Sequence, residues 1–314
     1  MGRKRAIADS GLPPKKQSKP IRSFPKAGEP VLLCWLSRFP AFPRLSPNLI
    51  REIASYFPFP LLLPAVYKER LLTYCVNTRS FSSVPRPCAL YPKSLFCLIS
   101  SRLALAFDTV NVSAKVVELD LVVGTVAGFP AMLQTRKAPA AIYLKGVVYV
   151  FGGWRNEPMV LCEKYSFQEK AWSPIADMPN SRGKTHLSVY NNEIYLLPGL
   201  SADPIECFNP RSQTYRTILK PDPAATWKSE LALLIDTSIL IFPDDKYAFE
   251  YKLTTGRKTQ REVKGGKVRR QAYSALPVVR EGRAVWVLAG TEGIGSFCYE
   301  KMEGKVTHPV VQIG

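Results

Sequence analysis

Six stretches of the chain share one hydropathy pattern, in which two apolar runs rich in β-branched and aromatic residues flank a short polar turn. They are AVY-KE-RLLTY (65–74), CLI-SS-RLALAF (97–107), AIYL-KG-VVYVFGG (141–153), LSVY-NN-EIYLLPG (187–199), ALLI-DT-SILIFPD (232–244) and LPVVR-EG-RAVWVLAG (276–290). Strand formers on both arms with turn-tolerant residues between them predict β-hairpins. Lys145-Gly146, Asn191-Asn192 and Glu281-Gly282 suit the positive φ angles of a two-residue turn. The first turn residues stand at 68, 100, 145, 191, 236 and 281, so from the second hairpin onward the steps are 45, 46, 45 and 45 residues. A period this constant predicts a repeat architecture.

A second feature recurs within the same period. Tyr165 and Phe208 are each followed seven residues later by another ring, Trp172 and Tyr215, while Tyr251…Lys258 and Tyr299…Val306 keep only the first ring. A strand, a polar turn and a returning strand would set both members on one sheet face, where they pack. Between these units PAMLQTR (130–136) and ADMPNSR (176–182) align, with Met132 and Arg136 in register with Met178 and Arg182. The unit is thus two hairpins, four antiparallel strands, in about 45 residues.

The segment IYLKGVVYVFGGWRNEPMVLCEKYSFQEKAWSPIADMP (142–179), with its Gly152-Gly153 pair and Tyr165…Trp172 spacing, resembles the kelch repeat. In the next unit Pro198-Gly199 stands in for the double glycine. The resemblance implies an all-β kelch-type β-propeller in which each unit is one four-stranded blade. Gly152, Gly153 and Gly199 would end second strands, and Tyr165 and Trp172 would pack between blades. Physical reasoning agrees: a small sheet cannot bury both faces alone, and stacked copies do it for one another. Six hairpins predict six blades, the first short by a strand because its step is only 32 residues. Either 306–314 or 30–36 is expected to pair there and close the ring. The expected domains are a disordered basic tail (1–28), an N-terminal extension with a short helix (29–58) and the propeller (59–314).

Composition bounds the function. Hydrophobic residues make up 46% of the 314, enough for a core without disulfide staples. The most apolar stretch, 57–67, is about half the ~20 residues of a membrane span and carries three prolines. Seven cysteines, an odd number never spaced as Cys-x-x-Cys, read as buried thiols of a reducing, intracellular compartment. The net charge of +18 gathers in two places. Residues 1–26 hold eight Lys/Arg against Asp9, and Arg257, Lys258, Arg261, Lys264, Lys267, Arg269 and Arg270 are opposed only by Glu262. Solubility and weak attraction to polyanions explain such clusters; aromatics interleaved for nucleic-acid stacking are missing. Arg3-Lys4-Arg5 with Lys15-Lys16 has the form of a bipartite nuclear import signal, set against a cytoplasmic placement. Within SPNLIREIASYF (46–57), Ser46 as cap, Pro47 at the first turn and the Leu49, Ile50, Ile53, Phe57 stripe predict a helix. That helix looks like the first helix of an F-box, with a plain packing helix as the alternative.

Catalysis finds little support. The copper oxidases that share the kelch fold need paired histidines, and this chain has only His186 and His308. Asp244-Asp245 are sequence neighbours without general acid/base geometry, and no phosphate-binding or nucleophile motif is present. The reading is a non-enzymatic protein-interaction module with no cofactor and no metal, acting as scaffold or substrate receptor. An F-box-type ubiquitin-ligase receptor, a nucleic-acid-associated protein and a kelch-fold enzyme are the alternatives. In kelch receptors the residues after the diglycine and the arginine before the next blade face the partner. By register these are Trp154, Arg155, Asn156, Arg136, Arg182, Trp227 and Arg270. Arginine and tryptophan at a concave rim suit an acidic or aromatic-bearing peptide.

Overall fold

The computed structural model describes residues 62–67, 69–75, 80–90, 94–199, 203–220, 231–242, 247–262, 278–280, 283–290, 293–300 and 305–307. Every regular element among them is a strand. The expected helix at 46–57, the basic tail and the segment 30–36 lie outside the described residues.

The strands form six antiparallel meanders. The first is three-stranded: β1 (Leu62–Tyr67), β2 (Arg70–Cys75) and β3 (Ser80–Pro85). The second holds β4 (Ser94–Leu98), β5 (Leu103–Asp108), β6 (Val116–Asp120) and β7 (Val126–Phe129). The third holds β8 (Ala140–Leu144), β9 (Val147–Phe151), β10 (Cys162–Ser166) and β11 (Ala171–Ile175). The fourth holds β12 (His186–Tyr190), β13 (Glu193–Leu197), β14 (Ile205–Asn209) and β15 (Thr214–Leu219). The fifth holds β16 (Leu231–Ile235), β17 (Ser238–Phe242), β18 (Tyr247–Lys252) and β19 (Lys258–Glu262). The sixth holds β20 (Val278–Arg280), β21 (Arg283–Gly290), β22 (Gly293–Glu300) and β23 (Lys305–Thr307).

Each expected hairpin tip falls between the first two strands of a sheet. Lys145 (φ 49°) with Gly146 (φ 80°), and Asn191 (φ 50°) with Asn192 (φ 61°), adopt the two positive φ angles whose twist matches the flanking strands. Among the described residues the first sheet has three strands. Residues 305–307 pair with β22 in the sixth sheet, so that stretch of the C-terminal run completes the last sheet and not the first.

The core lies between successive sheets because each strand points alternate side chains to opposite neighbours. In β9, Val148 and Val150 pack toward the second sheet with Phe107, Cys97 and Met132. Tyr149 and Phe151 from the same strand pack toward the fourth, against Leu196 and Phe208. All four spaced pairs read from the sequence stand directly opposite across their strands: Tyr165 and Trp172, Phe208 and Tyr215, Tyr251 and Lys258, Tyr299 and Val306. The rings of Tyr165 and Trp172 are 5.3 Å apart, and those of Phe208 and Tyr215 4.8 Å.

The second ring of each pair also ties its sheet to the incoming linker. Trp172 Nε1 donates to the Pro130 carbonyl at 2.9 Å, and the Tyr215 hydroxyl donates to the Ala176 carbonyl at 2.9 Å. Among the described residues no helix is long and apolar enough to cross a membrane.

Candidate functional site

An up-and-down meander sorts its connections onto two rims. The tight turns between first and second and between third and fourth strands share one rim; the second-to-third loops and the linkers to the next sheet share the other. The linker rim carries Arg136, Trp154, Arg155, Asn156 and Arg182, and backbone pairing stitches it together. Ser113 and Arg136 exchange two N–H···O bonds of 3.1 Å, so the β5–β6 loop holds the linker entering the third sheet. One residue on, Lys137 and Trp154 exchange bonds of 2.7 and 2.8 Å, fixing that linker to the β9–β10 loop. The next linker repeats the arrangement, with Arg182 N–H donating to the Met159 carbonyl at 3.1 Å.

The diglycine exists for this close approach. Gly152 (φ 52°) and Gly153 (φ 96°) hold left-handed conformations that side chains resist. A Cβ on Gly152 would stand 2.5 Å from the Arg182 carbonyl oxygen, and one on Gly153 2.8 Å from that of Lys137. Gly199 has the same role in the fourth sheet, where a Cβ would collide with the Lys184 carbonyl.

The structure separates the expected site residues. Arg136 is closed to solvent. Its Nη1 donates to the Gly152 and Leu161 carbonyls, each at 2.8 Å, and its Nη2 to Glu163 at 2.7 Å. Glu163 also accepts the Leu133 N–H at 2.6 Å. Burial pulls the Arg136 guanidinium below its ordinary value, and the charge of Glu163 opposes that fall. Arg182 is equally buried, paired with Glu206 at 2.8 Å and bonded to the Pro204 carbonyl. The rim-anchor role expected of these two arginines gives way to an internal one, because a guanidinium committed to a buried carboxylate presents no face to a partner.

Trp154, Arg155 and Asn156 are exposed on the linker rim. Trp154 keeps 39% of its surface open and lies over Gly183, where a Cβ would run into the indole. Trp227 and Arg270 lie outside the described residues. Glu163, Glu206 and Gly183 escaped the sequence reading. Their signal was present: each acid stands two residues before the first ring of its pair, and Gly183 follows the recurrent arginine.

Among the described residues, no group of three His, Cys, Asp or Glu side chains comes together to hold a metal ion. His186 opens β12, the strand-entry position expected of it, whereas His308 and Asp244-Asp245 lie outside the described residues. Burial pushes the Cys97 and Cys162 thiols up, away from the thiolate a nucleophile needs. Of the second basic cluster, Arg257 and Lys258 are exposed, with Lys258 Nζ 4.9 Å above the Phe249 ring.

Residues 135–179 match the family described as Kelch motif. They span the linker carrying Arg136, the whole third sheet and Met178. The third sheet thus carries a kelch motif, and the six antiparallel meanders are consistent with the blades of a kelch-type β-propeller. Comparison with curated proteins gives no match.

Proposed function

We propose that this kelch protein captures a partner protein through the linker rim of its propeller. The observation that carries the reading is the exposed Trp154–Arg155–Asn156 segment, held by paired backbone bonds to Lys137 and seated on Gly183. A side chain held in place before binding loses little entropy on capture, and tryptophan and arginine are frequent anchors of interface energy. The buried arginines beneath serve as positioning residues that keep linker and loop in register. Closure of the six sheets into a ring belongs to the same proposal, and the placement of β1 beside β21 supports it. Whether the captured protein is held on a scaffold or delivered to a ubiquitin-ligase adaptor follows from which proteins co-purify.

The test is affinity purification from cells with the wild-type chain and with a Trp154→Ala/Arg155→Glu variant, melting temperatures being measured in parallel. Specifically retained proteins should drop tenfold or more in the variant while its melting temperature stays within a few degrees. Equal recovery by both would move the interface off this rim.

A further inference from the structure

The exposed apolar side chains of this molecule are not scattered. Among the described residues seven large hydrophobics stand exposed, and five of them, Val110, Val112, Leu133, Trp154 and Leu161, lie on the linker rim of the second and third blades. The other two are apart, Val123 in the β6–β7 turn at the opposite rim and Val189 inside β12.

The three segments that bear the five are bonded to one another. Ser113 pairs with Arg136, Lys137 pairs with Trp154, the Met132 N–H donates to the Ala114 carbonyl at 2.9 Å, and Arg136 Nη1 holds the Leu161 carbonyl. Leu133 is fixed by its own N–H on Glu163, two residues from Leu161. Leu133, at 52% exposure, and Val112, at 46%, gain nothing from facing water on a scaffold held this firmly. Contiguous exposed apolar surface framed by polar groups marks a binding site.

The frame is cationic. Lys115, Lys137 and Arg155 are exposed on these segments and only Glu157 among the exposed residues there is acidic. The remaining charges, Asp108, Arg136 and Glu163, are buried. Asp108 is occupied in capping the backbone N–H groups of Val110 and Asn111, at 2.8 and 3.1 Å.

We infer that this two-blade patch is an off-axis docking site for an acidic peptide segment of a partner protein. Apolar side chains of that segment would cover Leu133, Val112 and Trp154, with its carboxylates set against Lys137 and Arg155. The inference rests on the linker-rim reading above and narrows it to one side of the rim and one ligand chemistry. A single exposed ring, Trp154, with aliphatic neighbours does not make the run of stacking platforms that single-stranded nucleic acid uses.

The test pans a random dodecapeptide display library against the folded full-length chain at 150 mM salt and measures the enriched peptides by fluorescence anisotropy. The expected peptides combine Asp/Glu with Leu, Phe or Trp, and weaken tenfold or more on Leu133→Asp, Val112→Asp or Lys137→Glu. Leu133 and Val112 are exposed enough for these changes to leave the melting temperature in place, and Lys137→Ala serves as a milder second variant. Peptides that bind unchanged to all of these variants but lose binding to Trp154→Ala/Arg155→Glu would overturn the patch and leave the linker-rim reading standing. Peptides indifferent to both sets, or none enriched, would overturn both. Displacement of the peptides by a poly-dT oligonucleotide at the same salt would overturn the peptide chemistry in favour of nucleic acid.

Discussion

Arg136 and Glu163, 27 residues apart in sequence, meet at 2.7 Å with both side chains shut off from water, and Arg182 repeats the contact with Glu206 one blade later. Each arginine enters from the linker and each glutamate stands second in the third strand, so the pair clamps the incoming chain to the blade it is about to build. Two buried charges lose much of their attraction to desolvation, so the pair's main consequence lies in what happens when it is broken.

Arg136→Met or Glu163→Gln therefore strands an opposite charge or a row of donors in the interior, and each should cost about 3–5 kcal/mol. Replacing both at once, Arg136→Met with Glu163→Leu, should recover most of that loss. Urea denaturation of the three variants measures it. A single-residue loss below about 1 kcal/mol would return the arginine to a surface role.

Gly152→Ala should destabilise by about 1–3 kcal/mol, since its φ of 52° resists a side chain and the new Cβ would press the Arg182 carbonyl from 2.5 Å. Gly146→Ala is the control: its φ is also positive, at 80°, but nothing lies within 4 Å. Thermal melts of the pair separate backbone strain from crowding.

Cysteine labelling should divide sharply in the native protein. Cys88 is exposed and should react with a maleimide within minutes. Burial pushes the Cys97 thiol far up and that of Cys207 up to about 12, so both should label only on unfolding, with buried Cys162. Peptide mass spectrometry of timed samples reads each site separately.

The acid limb of stability should depend on Glu193. Partial burial is the largest single influence and raises its carboxyl, but the hydrogen bonds from Arg216, Cys207 and Asn209 and the charge of Arg216 together outweigh it, and the folded value lies below the ordinary 4.5. A depressed carboxylate stabilises the fold above its unfolded value, and that contribution fades as pH falls through the lower folded one. Asp120, held down by Arg102 and the Val122 and Val123 N–H groups against its own desolvation, acts in the same direction. Glu193→Gln should lower the melting temperature by a constant amount from pH 6 to 8 and flatten its fall below pH 4.5.

The +18 charge gives a separate test of function class. If the basic clusters only keep the chain soluble, duplex and single-stranded DNA should bind weakly, without sequence preference, and release at moderate salt. A titration from 50 to 300 mM salt by anisotropy measures this. Binding that holds at 150 mM would displace the protein-partner reading.

Period and pattern alone determined the repeat, the strand pairs and the six tips, because these depend on local rules. A two-residue turn needs positive φ, a strand alternates its faces, and rings seven apart across a turn come opposite one another. The diglycine was legible as a motif, but its reason was not: the carbonyls of Lys137 and Arg182 that crowd it come from linkers on either side of the blade. The fate of the arginines was decided by tertiary structure as well. In sequence, Arg136 looks like any cation before a strand; only the folded chain brings Glu163 to its Nη2 and the Leu161 carbonyl to its Nη1, exchanging water for fixed oxygens. Among the described residues no carboxylate or carbonyl takes a hydrogen bond from the ring of Trp154 next door, and it, not the arginine, remains at the surface.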